Sequence, residues 1–320
     1  RRNATTPPGF SGKARLGSIN AITQGAEGDE VAVRAFGREM PGYLRGRVFT
    51  SYEKGEWAPG GDLEKAEVAK PDADEDSFGM VEIPGRTAAG DMVLDIYPSR
   101  RYGANYFLPL SAAAFDTASA AVQRQLGDTF TSQRQSTARG YLAHLSQEPA
   151  TSRAEETGLF SSLPEDMTLL EALDQTIAAL PETEEFPDRK AAALAQYFAR
   201  NFTYSTSSSF DYNSDLVRQF LLTERKGHCE FFASAGCLLL RRMGYSARYV
   251  TGFVCEERNG VGGYWLARNK HAHAWVEMLD ASGSWVICEF TPPGGVPQPG
   301  ENSGAAALGE YGRSIWERLR

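Results

Sequence analysis

Cysteine is scarce in this sequence, which has four among 320 residues. The four are widely separated and include no Cys-x-x-Cys pair, so neither a disulfide framework nor a structural zinc site of that kind is expected. Histidine is equally scarce, with four residues, and neither type occurs within residues 1–110. Each cysteine and histidine therefore has to be assessed singly.

Long apolar runs and an excess of positive charge are also missing. No apolar stretch approaches the ~18 residues that a membrane-crossing helix needs. The formal net charge is -8, which argues against a general affinity for nucleic acid or anionic lipid. The sequence begins with Arg1 and has no signal peptide, so we expect it to be a fragment of a longer protein.

The composition is that of a globular protein, with 42% hydrophobic and 11% aromatic residues. Because the length exceeds that of a usual single core, we expect more than one domain. The predicted segments are a β-rich N-terminal domain at 1–110, a helical connecting region at 111–175, a second domain at 176–300, and a tail at 301–320.

The N-terminal segment has short β-rich runs interrupted by Gly, Pro and Asp. These runs predict strands at 30–36, 43–52, 79–83, 92–97 and 105–108. Without Cys or His, this segment is expected to have a structural or docking role. Residues 111–146 are rich in Ala, Gln and Leu at helical spacing, and helices are also predicted at 168–180 and 188–201.

The chemistry-bearing segment begins with Cys229, which follows Gly227 directly before a run with the apolar spacing of a half-buried helix. Gly244 is predicted to end that helix. Cys229 therefore lies in a first helical turn, where unpaired backbone N–H groups and the helix dipole stabilise a thiolate.

Strands are predicted after this helix. Runs 246–254 and 264–267 alternate like the two strands of a hairpin, and two further strands follow at 271–278 and 285–293. Alternation places His271 and His273 on one face of the third strand and Glu289 on one face of the fourth. A nucleophile, a base and an orienting carboxylate thus follow in order, although spacing alone does not separate the two histidines.

Four motifs in this region resemble those of the bacterial transglutaminase-like superfamily, which run G-x-C-E-x-F/Y-A, L-x-R-x-x-G-x-x-A-R-x-V-x-G, H-A-W-x-E and W-x-x-x-D-x-T. Where the last motif has Asp, this sequence has Glu289. The matching residues are Gly227, Cys229, Glu230, Phe232, Ala233, Leu239, Arg241, Gly244, Ala247, Arg248, Val250, Gly252, His273, Ala274, Trp275, Glu277, Trp285 and Thr291.

The resemblance implies a catalytic triad of Cys229 as nucleophile, His273 as base and Glu289 as orienting carboxylate. It implies an α+β fold with a papain-like/transglutaminase-like core, in which the helix bearing Cys229 packs on an antiparallel sheet, beside the N-terminal β-rich domain. Residues 176–300 would be the catalytic domain.

A second resemblance concerns residues 16–18, 43–48 and 52–57, which are similar to the region before the catalytic domain in multi-pass membrane proteins with an extracytoplasmic transglutaminase-like domain. It implies a domain at the extracytoplasmic face of a bacterial cell membrane, tethered by segments outside this chain. The tail would then form a juxtamembrane helix, although a plain surface helix would show the same pattern.

The resemblance also implies the reaction. The thiolate of Cys229 would attack an amide and form a thioester, whose acyl group an amine or water then accepts. The expected amide is a glutamine side chain of a protein or peptide. Protein-glutamine transamidation is the first hypothesis. The alternatives are a cysteine peptidase or amidase on the same scaffold and a catalytically idle binding module at the cell envelope. No cofactor, metal or nucleic acid is expected to take part.

Other residues are candidates for supporting roles. Cys237 is expected to be a buried small hydrophobe, and Cys255 and Cys288 are expected to be packing residues that could pair in an oxidising compartment. Glu230 is expected to bond Arg248. The candidates to line a substrate cleft, each of which could instead be a core residue or a neighbour of the site, are His228, Tyr264, Trp265, His271 and Trp275.

Overall fold

The computed structural model describes residues 9–10, 12–60, 64–68, 78–119, 121–132, 139–151, 158–207, 209–298, 300–302 and 304–318. The helices are α1 (Ser18–Thr23), α2 (Met167–Ala178), α3 (Pro187–Asn201), α4 (Leu216–Gln219), α5 (Cys229–Arg242) and α6 (Gly304–Arg318). A π-helical turn (Phe220–Glu224) follows α4. None of the helices in the described ranges is long and apolar enough to cross a membrane.

The strands in chain order are β1 (Ala14–Arg15), β2 (Val31–Phe36), β3 (Gly42–Phe49), β4 (Ser51–Glu53), β5 (Glu56–Ala58), β6 (Glu64–Lys65), β7 (Gly79–Glu82), β8 (Val93–Pro98), β9 (Asn105–Tyr106), β10 (Leu108–Pro109), β11 (Ala112–Thr117), β12 (Val122–Gln125), β13 (Thr129–Ser132), β14 (Tyr141–Leu145), β15 (Thr203–Tyr204), β16 (Lys226–Gly227), β17 (Ala247–Cys255), β18 (Glu257–Asn259), β19 (Tyr264–Arg268), β20 (Ala272–Leu279), β21 (Trp285–Cys288) and β22 (Glu301–Asn302).

The sheet that positions the site has five antiparallel strands in the order β10-β3-β17-β20-β21. All nine residues of β17 are buried, because the strand lies between β3 and β20 and packs against α5. β3 comes from the predicted N-terminal segment, and it pairs directly with a strand about 200 positions later. The N-terminal strands are therefore not confined to a sheet of their own.

The other described sheets surround this one. An eight-stranded sheet has the order β22-β18-β19-β2-β8-β14-β11-β7, and a four-stranded sheet has the order β6-β12-β13-β9. Three N-terminal strands form the sheet β1-β5-β4, and β15 and β16 form a parallel pair. The α+β fold expected from the sequence is confirmed by these elements.

Helix α5 is buried on all sides, since every residue from Cys229 to Arg241 is shielded from solvent. It contacts β20 and β17 on one side and α2 and α3 on the other. Gly236 lets it lie close to the sheet, because a Cβ atom there would be 2.1 Å from the ring of Phe290. Gly244 ends the helical segment with φ of 92°, as the sequence predicted.

Two predictions about secondary structure are wrong. The described part of residues 111–146 contains the strands β11 to β14 and not the predicted helices. β11 pairs with both β7 and β14 and is buried on both faces. Its small Ala side chains fit this close packing, which outweighs their preference for a helix. The predicted hairpin of β17 with β19 is also wrong, since β19 pairs with β18 and β2.

Candidate active site

Cys229 is the first residue of α5, and it follows the short strand β16. The backbone at His228 is extended, with φ of -94° and ψ of 179°, and no side chain caps the helix there. The first backbone N–H groups of α5 are therefore free of a side-chain cap at the position of the sulfur. A helix start of this kind stabilises negative charge on a thiolate or on an oxyanion nearby.

His273 is the second residue of β20, opposite Gly252 of β17. Its Nε2 atom lies 2.8 Å from Oε2 of Glu289, and Cys229 lies near enough to the ring to help raise the His273 pKa. Because Nε2 is engaged by the carboxylate, Nδ1 is the ring nitrogen that remains for the sulfur. The imidazole thus connects the carboxylate to the thiol.

The strands that position this histidine require a close approach of backbones. A Cβ atom at Gly252 would lie 2.0 Å from the carbonyl oxygen of Leu44 and 2.6 Å from the ring of Trp275. Trp275 is fully buried and its ring is stacked against that of His273, with centroids 6.4 Å apart. Because residue 252 is glycine, β3 and the Trp275 ring can approach β17 closely. The Trp275 ring in turn packs against the His273 imidazole.

Glu289 lies just after β21, and its two oxygens have separate partners. Oε1 accepts a hydrogen bond from the Thr291 backbone N–H at 2.8 Å. Oε2 accepts one from the Tyr43 hydroxyl at 2.9 Å as well as the contact with His273. Both carboxylate oxygens are therefore held, although the Glu side chain is longer than the Asp of the resembled motif.

The electrostatics of the pair are reciprocal. Burial lowers the pKa of His273, but the charges of Glu289 and Cys229 and their hydrogen bonds outweigh it and raise the pKa to about 10. Burial raises the pKa of Glu289, but the charge and hydrogen bond of His273 outweigh it and hold the pKa below its usual value. At neutral pH the arrangement therefore favours an imidazolium beside the Glu289 carboxylate.

The Cys229 thiol and the His273 imidazole are shielded from solvent. The Cys229 and His273 side chains are 4% and 1% exposed. Burial, followed by the nearby Cys229 and Glu230 groups, raises the pKa of the Tyr204 phenol to about 12. Gly295 packs on the Tyr204 ring, where a Cβ atom would be 2.0 Å from it.

Glu230, which follows the cysteine, does not bond Arg248, and that prediction is wrong. It is completely buried and accepts hydrogen bonds from the backbone N–H groups of Gly17 and Asn20 at 3.0 and 3.1 Å, and from the Ser18 hydroxyl. Arg248 instead donates to Glu277 at 2.7 Å. The reason is topological, because α1 places its N-terminus over the first turn of α5, where an acceptor is needed.

Arg248 and Glu277, both of which belong to the resembled motifs, form a buried ion pair. Arg248 Nη2 is 2.6 Å from Glu277 Oε2, and its guanidinium lies 3.8 Å above the ring of Trp285. Both charged groups are essentially unexposed. These two residues lie opposite each other on β17 and β20, and neither is a hydrogen-bond partner of Glu289 or His273 in the described part of the chain.

The five candidates for the substrate cleft lie in different parts of the structure. Trp275 lies against His273, and His228 directly precedes Cys229. His271 does not join the triad, because its Nδ1 atom accepts a hydrogen bond from the Arg268 backbone in the turn before β20. Burial lowers the pKa of both His228 and His271 to about 4, so both are neutral at neutral pH.

The two aromatic candidates on β19 lie in the eight-stranded sheet. Tyr264 is fully buried, with its ring 4.7 Å from that of Phe36, so it lines no cleft and that prediction is wrong. Trp265 is partly buried, with the Arg258 guanidinium above its ring. The periodicity of these residues could not separate core from cleft, because burial of the strand depends on its partner β2.

The four cysteines are all unpaired and buried. Burial raises the pKa of Cys237 to about 11 and that of Cys288 to about 12, and it raises the pKa of Cys255 as well. These three thiols are therefore poor nucleophiles at neutral pH. In the described part of the chain, no group of three or more His, Cys, Asp or Glu side chains is placed to hold a metal ion.

A cysteine at a helix start, linked through a histidine to a carboxylate on an antiparallel sheet, defines the class of cysteine-nucleophile sites on an α+β scaffold. Residues 171–290 match the model of the transglutaminase-like superfamily. This part of the chain is therefore similar to that superfamily. Tyr43 and Thr291, which contact Glu289, lie outside the matched residues.

Two curated proteins are similar to part of the chain. An uncharacterized protein YebA of Bacillus subtilis is 34% identical over 119 residues, which are 35% of this chain and 16% of that protein. A protein-glutamine gamma-glutamyltransferase of Pseudomonas aeruginosa is 36% identical over 106 residues, which are 33% of this chain and 16% of that protein. The matched part thus spans about a sixth of the length of each relative.

A solved structure is similar over most of the chain. The crystal structure of the periplasmic domain of TgpA from Pseudomonas aeruginosa matches 87% of this chain and 92% of its own, with a TM-score of 0.65 and 20% identity. At that identity the likeness concerns the fold alone. It extends well beyond residues 171–290, so the surrounding sheets are part of the shared architecture.

Proposed function

We propose that this chain is a cysteine-dependent acyltransferase that acts on amides through a thioester, with protein-bound glutamine as the acyl donor. The observation that carries the proposal is the 2.8 Å contact of His273 with Glu289, together with the position of Cys229 at the start of α5. The match of residues 171–290 to the transglutaminase-like superfamily supports it, as does a relative named protein-glutamine gamma-glutamyltransferase.

The residues divide the reaction among them. The Cys229 thiolate attacks the carboxamide carbon, and the N-terminal N–H groups of α5 stabilise the oxyanion of the tetrahedral intermediate. The His273 imidazolium donates its proton to the departing ammonia as the thioester forms. It then accepts a proton from the incoming amine as the thiolate leaves, while Glu289 keeps the ring oriented.

The low exposure of the site favours transfer to an amine over hydrolysis. Water is present at about 55 M against millimolar amines, so transamidation requires a site from which bulk water is excluded. The low exposure of Cys229 and His273, at 4% and 1%, supports the exclusion of water from the thioester. A cysteine peptidase or amidase would be under no such restriction at the acceptor step.

The decisive experiment is incorporation of a dansyl amine into a glutamine-rich protein, with ammonia release measured in parallel. We expect amine incorporation and ammonia release in equal amounts, and the loss of both in the Cys229→Ala variant. Ammonia release without incorporation would instead identify a hydrolase. Incorporation that persists in the variant would exclude Cys229 as the nucleophile.

Labelling with iodoacetamide near neutral pH tests the remaining alternative of an idle binding module. Cys229 should react faster than the three other thiols, and the Cys237→Ala variant provides a matched control in the same helix. Mass spectrometry assigns the labelled cysteine. If Cys229 reacts no faster than an ordinary thiol, the activated nucleophile is absent and the binding-module hypothesis is favoured.

We also propose that the domain acts at the extracytoplasmic face of a bacterial membrane. The support is the fold shared with a domain described as periplasmic. Tyr212, which is 68% exposed, offers a site for the test. In cells that express the full-length gene, a Tyr212→Cys variant should react with a membrane-impermeant maleimide before lysis. Labelling that occurs only after lysis would place the domain in the cytoplasm.

A further inference from the structure

Tyr43 and His273 share one oxygen atom of Glu289. The Tyr43 hydroxyl donates to Oε2 at 2.9 Å, and Nε2 of His273 lies 2.8 Å from the same atom. The second oxygen, Oε1, accepts from the Thr291 backbone. The carboxylate is therefore fixed in its plane by donors on three sides, of which Tyr43 comes from the N-terminal part of the chain.

Tyr43 is itself held rigidly. It is the second residue of β3 and pairs with Val254 of β17, so its backbone belongs to the central sheet. Its ring packs edge-to-face on Trp275, with centroids 5.0 Å apart and planes at 72°. Burial, with the charge of Glu289 next, raises the pKa of the phenol well above its usual value, so the hydroxyl stays protonated and remains a donor.

The length of the glutamate makes this donor necessary. Glu has one more rotatable bond than Asp, and the Glu289 side chain is 24% exposed, so it has room to move. Without Tyr43, the Thr291 backbone would hold one oxygen while the other could rotate away from the imidazole. A donor on Oε2 removes that freedom before the reaction begins.

We propose that Tyr43 is a positioning residue of this active site, which holds Glu289 against His273 and so makes the N-terminal β strands part of the catalytic unit. The proposal rests on the proposed function for its kinetic consequences. Its structural content concerns Tyr43, Glu289 and His273 alone. It assigns a role to β3 that a purely structural or docking domain would not have.

The test is the Tyr43→Phe variant, which keeps the ring on Trp275 and removes only the hydroxyl. The matched control is Tyr52→Phe, because the Tyr52 hydroxyl also donates to a carboxylate at 2.9 Å, that of Asp215, remote from the triad. The first readout is the NMR titration of the His273 imidazole. Thermal unfolding of both variants shows that the fold is retained.

The direction of the shift distinguishes two roles. If the hydroxyl holds the carboxylate in place, its removal lets Glu289 leave the imidazole and lowers the His273 pKa, while Tyr52→Phe leaves it unchanged. If the hydroxyl only withdraws charge from Oε2, its removal raises the His273 pKa. A rise or an unchanged value in Tyr43→Phe overturns the proposal.

The second readout is kinetic. Tyr43→Phe should lower kcat about tenfold, the effect of one hydrogen bond to a charged group, and leave KM nearly unchanged. In a Glu289→Ala background the same substitution should have no further effect, since the group to be positioned is gone. An equal loss in both backgrounds would show that Tyr43 acts on the fold and not on Glu289.

The proposal and the proposed function can fail separately. The His273 titration needs no substrate, and neither does the rate at which iodoacetamide alkylates Cys229. A protein that incorporates no amine but shows the predicted pKa shift in Tyr43→Phe would retain the positioning role and lose the transamidation. A protein that incorporates amine with an unshifted His273 would lose the positioning role alone.

Discussion

Nε2 of His273 lies 2.8 Å from Oε2 of Glu289, and this contact sets the charge state of the imidazole. The charge of the Glu289 carboxylate is the largest cause that raises the His273 pKa, so it stabilises the imidazolium. Glu289 thus makes this contact from the position where the superfamily motif has Asp. The consequences of this arrangement can be measured directly.

The Glu289→Gln substitution should reduce kcat/KM for amine incorporation by on the order of 10³-fold to 10⁴-fold, as loss of the orienting carboxylate does in other triads. The amide cannot stabilise the imidazolium, so the His273 pKa should fall toward 6.5. Glu289→Asp keeps the charge and is the matched control, with a smaller loss. Full activity in Glu289→Gln would remove this residue from the catalytic set.

The stability of the fold should decline at alkaline pH. The folded pKa of His273 is raised to about 10, so between pH 6.5 and 10 the folded state binds more protons than the unfolded state. The stability that this contributes is fully present below pH 6.5, and it is lost as pH rises through 10, by up to about 1.4 kcal/mol per pH unit.

Urea unfolding at pH 6.5, 8.5 and 10 checks this sign. The Glu289→Gln variant should show a weaker decline over the same window, because the largest group that raises the His273 pKa is gone. A stability that rises with pH in the parent protein would mean that His273 is neutral in the folded state.

Glu230 should tolerate replacement by Gln but not by Ala. Gln can accept from the Gly17 and Asn20 N–H groups through its oxygen and direct its amide to the Ser18 hydroxyl. Ala would leave those buried groups without an acceptor and should cost about 2 to 4 kcal/mol of unfolding free energy. Equal stability of the two variants would show that water replaces the carboxylate.

The same residue adds a pH signature. Burial raises the pKa of Glu230 to about 7 despite the hydrogen bonds that oppose it. Between pH 4.5 and 7 the folded state binds the extra proton, so this residue makes stability fall as pH rises through that window. Glu230→Gln should remove this part of the dependence, as urea unfolding at pH 5 and 7.5 would show.

The Gly252→Ala substitution should destabilise the protein by about 3 kcal/mol or more, since the added methyl group meets the Leu44 carbonyl oxygen and the Trp275 ring with no room to relax. Gly309→Ala is the control, because nothing lies within 4 Å of that position in α6. It should leave stability unchanged or raise it by about 0.5 to 1 kcal/mol. Similar effects at both positions would contradict the close approach of β3 and β17.

Local sequence signals predicted the elements better than their partners. The strands β2, β8 and β20 and the helices α3 and α5 were predictable within a few residues, because each has its own periodicity and its own start or stop residue. The pairing of β17 was not predictable. Its partners β3 and β20 lie on both sides, and alternation along a fully buried strand identifies neither.

In residues 112–145 the local sequence signal predicted the wrong type of element. Their Ala and Leu residues favour a helix locally, yet the segment forms β11 to β14. Pairing with β7 and β8, which precede it in the chain, outweighs a propensity difference of a few tenths of a kcal/mol per residue. Such non-local pairing leaves no periodic trace in the segment itself.

The sequence by itself determined the chemical candidates, since Cys229 before a helical run, His273 before Ala-Trp and Glu289 before Phe-Thr are local patterns that need no partner to be seen. Only the tertiary structure decided what supports them. Tyr43 reaches Glu289 across 246 positions of sequence, and Glu230 caps α1 across 210. A hydrogen bond depends on the separation of two atoms in space, and the folded sheet sets that separation.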